Sequence, residues 1–580
     1  MDIKSDELIS IENNFRVSAG PGAGKTYWLV NHIKNVLYNS KRLMKTRKIA
    51  CITYTNIAVE TINERLGNSS DQVEVSTIHS FLYSNVIKPY ISFIANDYDL
   101  DIKKMDGHED VKVKFSNVKE WIENLDKVDD LKNPNTKNQL LKIPEQKKAL
   151  INWLESIKYK IDSNGNLYAS CDNSKALVII DNKPTRIKKS NLSILEPELI
   201  KYKKLYWKNG IIDHEDVLFF SYNLIKEYPF ILEVLRAKYP YFFVDEFQDT
   251  NPIQVELIKM IAANETIVGV IGDSAQSIYS FQGADSKEFS KFKINNLADY
   301  KIKGNRRSTN CIIKVLNSMR KDFEQISLRE VEGSKPIIIV GDVIQSVRKG
   351  IELCNSKEVT TLSRDNVTAN AIKKGIEDKE SNHKLIELLI EIDGNKKRKN
   401  TIIRSITAIE LAKEGNFKEA LKTLNNITKV KDNKKESLKY LSLLLNKYDE
   451  YCDESLMNLY ELIKSNFDSS LTNFKNGKPK EFYNGHKYKE LAICINQIED
   501  KSNNKTIHQS KGDEFENVIL IKKDKNLDFL LNPDLKKNEE HRIDYVAISR
   551  AKDNLMINIQ YLSQEDEEKL KNLFQIIRLS

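Results

Sequence analysis

The sequence predicts an α/β fold with two parallel sheets that are covered by helices on both faces. Two observations predict it. In the first part of the chain, apolar runs that read as strands alternate with helical segments such as 27–38 and 56–66; the runs are 14–18, 49–53, 241–244 and 267–271. A second series of such runs lies at 337–340, 359–362, 518–521 and 555–559. Strands that alternate with helices pair in parallel and are buried on both faces.

Two stretches interrupt this alternation and predict an insertion in each sheet domain. One combines Lys-rich amphipathic segments with a hairpin around Asn164 and Gly165 and a strand at 177–180, and the other is strongly helical. Within the helical stretch, the basic run 396–399 predicts a loop, either solvated or in contact with phosphate. The predicted domains are 1–90 with 206–295, an insertion at 91–205, 296–370 with 506–580, and an insertion at 371–505.

Composition excludes several classes of protein. The chain has 580 residues, of which 40% are hydrophobic and 30% charged, as in multidomain globular proteins. No apolar run approaches the roughly 18 residues that span a bilayer, so we expect no membrane insertion. Residues 1–7 carry acids and lack the apolar core of a signal peptide, which favours a cytoplasmic location.

The cysteines and the net charge give weaker indications of function than the motifs do. The six cysteines are widely spaced without a Cys-x-x-Cys pair, which argues against a zinc ribbon, an iron–sulfur cluster and a disulfide framework. A net charge of +8 is compatible with a polyanionic partner, but many enzymes share so mild an excess. The charge alone therefore favours nucleic acid only modestly.

A Gly-rich turn follows the first predicted strand and precedes a helix. It reads Ala19-Gly20-Pro21-Gly22-Ala23-Gly24-Lys25-Thr26, with Ala19 where the usual pattern has Gly. In this setting, backbone N–H groups and the positive helix end hold β- and γ-phosphates, a lysine neutralises charge, and a hydroxyl can ligate Mg²⁺. We expect Lys25 and Thr26 to take the last two roles in a nucleotide site.

Two adjacent carboxylates, Asp245 and Glu246, end the strand predicted at 241–244. In a nucleoside triphosphatase, one such carboxylate holds Mg²⁺ and the other orients or deprotonates the attacking water. A surface turn rich in acids is the alternative, but like charges beside an apolar strand repel each other and are costly to desolvate. We therefore assign Asp245 to the metal and Glu246 to the water.

Seven segments, in one order along the chain and including the one that begins with Asp245 and Glu246, resemble motifs Ia to VI of superfamily 1 helicases of the UvrD, Rep and PcrA type. In the first domain they are Thr53-Tyr54-Thr55-Asn56-Ile57-Ala58, Thr77-Ile78-His79-Ser80-Phe81, Asp245-Glu246-Phe247-Gln248-Asp249-Thr250-Asn251, and Gly272-Asp273-Ser274-Ala275-Gln276-Ser277-Ile278-Tyr279. In the second domain they are Asn305-Arg306-Arg307-Ser308, residues 506–515, and Tyr545-Val546-Ala547-Ile548-Ser549-Arg550-Ala551.

The resemblance implies two RecA-like P-loop NTPase domains with a mixed α+β insertion, 1B, and a mainly helical insertion, 2B. It implies ATP and Mg²⁺ as cofactors, with Gln276 as a γ-phosphate sensor and Glu514 near the ribose. The implied catalytic residues are Lys25, Asp245, Glu246, Gln276, Arg307 and Arg550. The implied nucleotide-binding residues are Ala19, Gly20, Gly22, Ala23, Gly24, Lys25, Thr26, Tyr27, Arg306, Gly512 and Glu514, and Thr26 and Asp245 would hold the metal.

The resemblance also implies a track for single-stranded DNA. Its residues would be Thr53, Tyr54, Asn56, Thr77, His79, Tyr279, Phe281, Thr506 and His508. Aromatic rings stack on bases without regard to sequence, which suits Tyr54, Tyr279, Phe281 and also Phe81, although core packing is equally compatible with each. His79 and His508 could equally be buried hydrogen-bonding residues.

The chain departs from the family near the base of the nucleotide. The family usually has a glutamine ahead of the phosphate loop that reads adenine, and residues 1–18 contain none. Tyr27 stands where relatives often have Arg, and Arg306 where they often have Tyr. We hypothesise that this stacking pair has exchanged places, because a ring or a guanidinium can cover a purine face. Phe281-Gln282 replaces the Trp-Arg of the family.

Three functions remain open at this point. The resemblance implies an ATP-dependent translocase on single-stranded DNA and a 3′-to-5′ helicase, in which the second domain closes on nucleotide held by the first. The alternative is an ATPase that senses DNA ends and regulates a partner nuclease. Compact relatives include the helicase-like subunit of Gabija anti-phage systems, which works beside an OLD-family nuclease with a TOPRIM domain. A P-loop kinase is disfavoured, because it needs neither two distant arginines nor Gln276.

Overall fold

The computed structural model describes residues 1–109, 111–125, 134–180, 183–355, 357–376, 383–427, 433–495, 502–523 and 527–579. The chain divides into two compact units, Met1–Gly304 and Asn305–Ser580. Each unit contains a six-stranded parallel sheet with helices around it, which confirms the predicted fold class. None of the helices in these ranges combines the length and apolarity needed to cross a bilayer.

The described residues of the first unit contain ten strands. They are β1 (Asn14–Ala19), β2 (Ile49–Thr53), β3 (Val73–Thr77), β4 (Lys158–Ile161), β5 (Leu167–Ser170), β6 (Leu177–Ile180), β7 (Lys183–Arg186), β8 (Tyr241–Val244), β9 (Ile267–Gly272) and β10 (Leu297–Ile302). Six of them form the sheet, in the order β10-β1-β9-β8-β2-β3 with every pair parallel. The strands β4 and β5 form the hairpin predicted around Gly165, and β6 pairs with β7.

The helices of the first unit surround this sheet and build its insertion. They are α1 (Lys25–Asn39), α2 (Asn56–Leu66), α3 (Ile78–Leu82), α4 (Lys88–Tyr90), α5 (Phe115–Glu123), α6 (Pro134–Lys142), α7 (Pro144–Leu154), α8 (Lys189–Leu195), α9 (Leu199–Trp207), α10 (His214–Glu227), α11 (Phe230–Lys238), α12 (Pro252–Ala262) and α13 (Ser286–Lys291). Caps explain where several begin: Thr55 caps α2, and reciprocal capping boxes start α10 and α12.

The first sheet extends farther along the chain than the predicted boundary at residue 295. Strand β10 pairs in parallel with β1, from Leu297 opposite Asn14 to Ile302 opposite Ala19. It is an edge strand whose side chains are mostly only half-buried, so its sequence lacks the continuous apolar run of a central strand. The boundary between the two units accordingly falls after Gly304.

The second unit follows the same plan. Its strands are β11 (Gly304–Asn305, which spans the division), β12 (Ile326–Ser327), β13 (Ile337–Val340), β14 (Thr360–Ser363), β15 (Asn504–Thr506), β16 (Phe515–Lys522), β17 (Ala551–Ile559) and β18 (Gln575–Arg578). The six-stranded sheet has the order β15-β14-β16-β17-β13-β18, again with parallel pairs. Its helices are α14 (Asn310–Met319), α15 (Val343–Leu353), α16 (Asn366–Lys374), α17 (Leu385–Ile392), α18 (Lys396–Lys413), α19 (Phe417–Asn425), α20 (Lys434–Asn446), α21 (Tyr448–Tyr451), α22 (Leu456–Asn466), α23 (Lys478–Gly485), α24 (Tyr488–Ala492), α25 (Asp528–Leu531), α26 (Glu539–Ile548) and α27 (Gln564–Leu570).

The helices α17 to α24 pack around a hydrophobic core of their own. The prediction that the basic run 396–399 forms a loop is wrong, because this run opens α18. Arg398 is buried: its guanidinium donates to Asp393 at 2.6 and 2.8 Å and lies 3.9 Å from the centroid of the Phe474 ring. One of the four cations is therefore part of the core of this helical cluster.

A buried histidine of α1 packs among aromatic rings. His32 stacks on Trp28 with ring centroids 5.1 Å apart and meets the Phe15 ring at 4.9 Å. Neither of its ring nitrogens has a hydrogen-bond partner in the described ranges. Burial lowers the pKa of His32 to about 4, so the ring is neutral at pH 7.

We expect His32→Leu to raise the free energy of unfolding by about 1 kcal/mol. A buried polar group without a partner costs about 1–3 kcal/mol, and the lost ring stacking offsets part of the gain. Urea denaturation followed by tryptophan fluorescence measures the change, because Trp28 reports on this cluster. The half-exposed His486 provides the control, since His486→Leu should shift the transition little. A destabilised His32→Leu variant would contradict the expectation.

Candidate functional site

The carboxyl ends of neighbouring strands bring the predicted motifs of the first unit to one edge of its sheet. Parallel strands end at the same edge, where ligands of open α/β sheets bind. The Gly-rich turn follows β1, Asp273 follows β9, Asp245 follows β8, Tyr54 follows β2 and Ile78 follows β3. Since the spatial order is β1-β9-β8-β2-β3, only β9 separates the Gly-rich turn from Asp245, and the two segments predicted to contact DNA continue the row.

The Gly-rich turn has the backbone of a phosphate cradle. Gly22 and Gly24 have φ of 68° and 79°, in the left-handed region that residues with a side chain rarely adopt. The turn delivers the chain into α1, whose first residue is Lys25 and whose first turn contains no acid. The N–H groups of the first turn and the positive helix end can therefore face an anion without a competing carboxylate from the helix itself.

Asp245 and Thr26 form the oxygen pair that was expected to hold a metal. Asp245 is buried and accepts a hydrogen bond from the Thr26 side chain. Burial and the adjacent Glu246 raise the pKa of Asp245, while Lys25 opposes this shift. A desolvated carboxylate beside a hydroxyl fits Mg²⁺, which prefers hard oxygen ligands and keeps several waters.

Glu246 leaves β8 with an unusual backbone. Its φ of 53° and ψ of 39° lie in the left-handed region, a conformation that costs a non-glycine residue about 1 kcal/mol or more. One carboxylate oxygen, Oε1, is 3.6 Å from Nζ of Lys25, and the other, Oε2, accepts a hydrogen bond from Nε2 of Gln248. The Glu246 carboxylate is therefore held beside Lys25, the lysine expected to bind phosphate.

The expected sensor Gln276 is also buried and held. Its Nε2 donates to Oδ2 of Asp273 at 2.6 Å, directly after β9. The first unit thus brings together Lys25, Thr26, Asp245 and Glu246 by direct contacts. It holds Gln276 at the end of the strand that lies between β1 and β8.

Aromatic side chains continue this edge beyond the acids. Tyr54 and Tyr279 stack with ring centroids 4.7 Å apart, and the Tyr54 hydroxyl donates to Gln282. Phe281 lies 5.9 Å from the Tyr279 ring and is 62% exposed, so a base could stack on it. Asn56 is exposed at the start of α2, which leaves its amide accessible.

Other residues predicted to contact DNA have structural roles here. Thr53 is buried, and Thr77 caps α3 by accepting from the Ser80 N–H. His79 packs 5.2 Å from the His214 ring, and burial, assisted by neighbouring histidines, lowers its pKa to about 3. A direct DNA contact for these three residues stays a prediction.

Phe81, for which the sequence allows either base stacking or core packing, belongs to the core. It is 1% exposed and meets the rings of Tyr239 and Phe242 at 5.2 Å each. Helix α3 turns this side chain under the sheet edge, so Phe81 is not available to stack on a base.

In the second unit, Arg307 and Glu514 form an ion pair. The Nε of Arg307 donates to Oε2 of Glu514 at 2.8 Å, and Lys552 Nζ is 2.9 Å from Oε1. Partial burial opposes ionisation, but these two cations outweigh it and lower the pKa of Glu514. The carboxylate assigned to the ribose is therefore bound to an arginine assigned to phosphate.

Arg550 lies next to this pair. It directly precedes β17, as Glu514 precedes β16, and it is 3% exposed. Its Nη1 donates to the Asp513 carbonyl at 3.1 Å and its Nε to the Val546 carbonyl at 3.2 Å. The second unit thus collects both expected arginine fingers and Glu514 at the amino ends of two central strands.

The remaining predicted residues of the second unit divide between exposed and buried positions. Arg306 is exposed, and Gly512 is exposed with a φ of 97° that favours glycine. Thr506 ends β15 and is buried, with its hydroxyl bound to Oε1 of Gln509 at 3.0 Å. His508, two residues on, is half-buried.

Two residues of the site were missed by sequence reasoning. Gln248 lies inside the motif but was given no role, and its contacts depend on the adjacency of β8 and β9. Lys158 comes from the hairpin of the insertion and donates to the Phe281 carbonyl at 2.8 Å. Only its place in a Lys-rich insertion hinted at a role, and that signal does not single it out.

The fold and the first-unit site define a P-loop nucleoside triphosphatase. The model of the UvrD/REP helicase N-terminal domain matches residues 3–296, and that of the UvrD-like helicase C-terminal domain matches residues 282–561. The chain belongs to the UvrD-like helicase family, and its two sheet units are RecA-like domains.

Several known proteins are similar to this chain. The Gabija protein GajB of Bacillus cereus is 25% identical, over 96% of this chain and 94% of its own length. A probable DNA helicase II homolog of Mycoplasma capricolum is 29% identical over 58% of this chain and 44% of its own length. The ATP-dependent DNA helicase Rep of Buchnera aphidicola is 26% identical over 52% and 40%. The alignments thus span less than half of these two helicases.

Proposed function

We propose that this chain is an ATP-dependent translocase on single-stranded DNA and a 3′-to-5′ helicase of the cytoplasm. The observation that carries the proposal is the row of motifs along the first sheet, where the Lys25, Thr26, Asp245 and Glu246 contacts lie beside the stacked Tyr54 and Tyr279 rings. Such a row suits a protein in which one sheet contacts both ATP and a DNA strand.

In the proposed reaction, the Gly-rich turn and Lys25 bind the β- and γ-phosphates, and Glu246 orients the attacking water and accepts its proton. Thr26 and Asp245 would hold Mg²⁺, which neutralises charge on the phosphate oxygens. Arg307 and Arg550 would stabilise the charge that develops on the transferred phosphoryl group. Tyr27 and Arg306 would cover the base, and comparable hydrolysis of ATP, GTP and CTP would remove that last assignment.

Two assays test the proposal. ATP hydrolysis should rise when single-stranded DNA is added, and a fork with a 3′ tail should be unwound in preference to one with a 5′ tail. ATP turnover that no nucleic acid affects would contradict the proposal. Equal unwinding from both tails would contradict the stated polarity.

Phe281 provides a prediction for the DNA track. We expect Phe281→Ala to weaken binding to single-stranded DNA by about 5- to 100-fold, because stacking on an aromatic ring contributes about 1–3 kcal/mol per base. Fluorescence anisotropy with a labelled oligonucleotide measures the change. Phe230 is a matched control, since it is 40% exposed in the same unit but lies outside the motifs. Equal affinities of the wild-type and Phe281→Ala proteins would exclude stacking there.

A second candidate function is an ATPase that senses DNA ends and regulates a partner nuclease in antiviral defence. The similarity to the Gabija protein GajB over nearly the whole of both chains favours it. The nuclease would be of the OLD family with a TOPRIM domain. Stimulation of ATP turnover by DNA without unwinding of any fork would favour this function over the helicase.

A further inference from the structure

A buried glutamine links the acid of β8 to the sensor segment that follows β9. Gln248 is completely buried, two residues after Glu246. Its Nε2 donates to Oε2 of Glu246, and its Oε1 accepts from the Asp273 N–H at 2.9 Å. Because the nitrogen faces acceptors and the oxygen faces a donor, the carboxamide has only one orientation that satisfies both.

The absence of a side chain at Gly272 leaves room for this carboxamide. A Cβ atom on Gly272 would lie 2.5 Å from Oε1 of Gln248 and 3.2 Å from the Phe289 ring, so a side chain there would displace the amide. Ser277 adds a second tie, since its hydroxyl donates to the Gln248 carbonyl at 3.0 Å. The position of Gln248 is therefore fixed from both strands.

Asp273 is held by hydrogen bonds of both its backbone and its side chain. Its N–H donates to Gln248, and its carboxylate accepts from Nε2 of Gln276 at 2.6 Å and from the Ala275 N–H at 3.2 Å. The contacts run without a break from Glu246 through Gln248 and Asp273 to Gln276. The side chain that orients water and the side chain assigned to the γ-phosphate thus share one support.

We propose that Gln248 is a positioning residue for ATP hydrolysis, which fixes the Glu246 carboxylate through its bond to the Asp273 N–H. This inference rests on the proposed ATPase function. Glu246 needs such a support because its backbone lies in the left-handed region, where the strand no longer directs the side chain. Gln248 acts in this proposal only through Glu246, as a support for its carboxylate.

The test is Gln248→Met, which removes the side-chain hydrogen bonds to Glu246 and the Asp273 N–H, together with a longer one to Asp249 at 3.4 Å, and keeps the length of the side chain. We expect kcat for DNA-stimulated ATP hydrolysis to fall by about 10- to 100-fold, as is common when a support of a reacting group is removed. KM for ATP and the Kd for single-stranded DNA should stay within about threefold. Gln248→Asn, which keeps a buried amide but shortens its reach, should give the same split if the methionine variant does not fold.

Gln254 offers a matched control for a purely structural role. It is also buried, and its Oε1 accepts from the Asn251 N–H in the capping box of α12, with no contact to Glu246. Gln254→Met should lower stability and leave kcat per folded molecule unchanged. An equal loss of kcat in both variants would show that Gln248 acts only through stability and would overturn the proposal.

The pair Glu246→Asp and Gln248→Met separates action through Glu246 from an independent effect. Shortening the acid already breaks its contact with Gln248, so adding Gln248→Met should cost little more kcat. Full additivity of the two losses, or a kcat for Gln248→Met within threefold of wild type, would overturn the proposal alone. A wild-type chain without ATP turnover would overturn the proposed function and this inference with it.

Discussion

Glu246→Gln should lower DNA-stimulated ATP turnover by about 10²- to 10⁴-fold, the usual contribution of a positioned general base. The amide is isosteric and can still accept the hydrogen bond from Gln248, so the loop should keep its shape. Binding of ATP and of single-stranded DNA should therefore persist. Single-turnover hydrolysis and anisotropy titrations measure the two properties separately.

Glu256→Gln is the control for the loss of a carboxylate in the same unit. Glu256 lies on α12, half-exposed, and pairs with Lys259 at 3.4 Å. Its replacement should leave turnover unchanged. If Glu246→Gln kept turnover within threefold of wild type, or lost DNA binding, Glu246 would not be the residue that activates water.

Lys25→Ala should also abolish turnover, but by a different route. The Lys25 side chain is mostly buried at the start of α1, and its ammonium lies 3.6 Å from Oε1 of Glu246. Without it, the turn loses the charge that neutralises the β- and γ-phosphates. We expect ATP affinity to fall by at least about tenfold, since a charge-assisted contact contributes about 1.5–3 kcal/mol.

Nucleotide binding distinguishes this variant from Glu246→Gln, which should retain it. A fluorescent ATP analogue measures the Kd of both proteins. Lys34→Ala is the matched control on the same helix, because Lys34 lies outside the Gly-rich turn and its ammonium donates to the Arg65 carbonyl. Normal nucleotide affinity in Lys25→Ala would contradict the assignment of Lys25 to the phosphates.

Continuous apolar strands with sharp ends could be predicted from the sequence. The structure confirms strands Ile49–Thr53 and Tyr241–Val244 at their predicted bounds, and every residue of both is buried. Helix Asn56–Leu66 also begins where predicted, because Thr55 supplies a cap. The burial of Asp245 could also be predicted, because this residue directly follows a continuous apolar strand.

Features that depend on distant partners could not be predicted. Arg398 looks like one more cation in a basic run, and only its contacts with Asp393 and Phe474 make it part of a core. The role of Gln248 likewise depends on β9 lying beside β8, which local sequence does not encode. For Thr506, burial became visible only when the neighbouring elements were in place.

The strand order of the first unit also limits how far a mechanical signal must travel. Adjacent strands lie about 4.8 Å apart, and β8 is separated from β3 by β2 alone. About 10 Å of one continuous sheet therefore separates Glu246, the proposed catalytic carboxylate, from the segment after β3 that is proposed to contact DNA. A displacement of β8 within this layer would pass through β2 alone before it reached that segment.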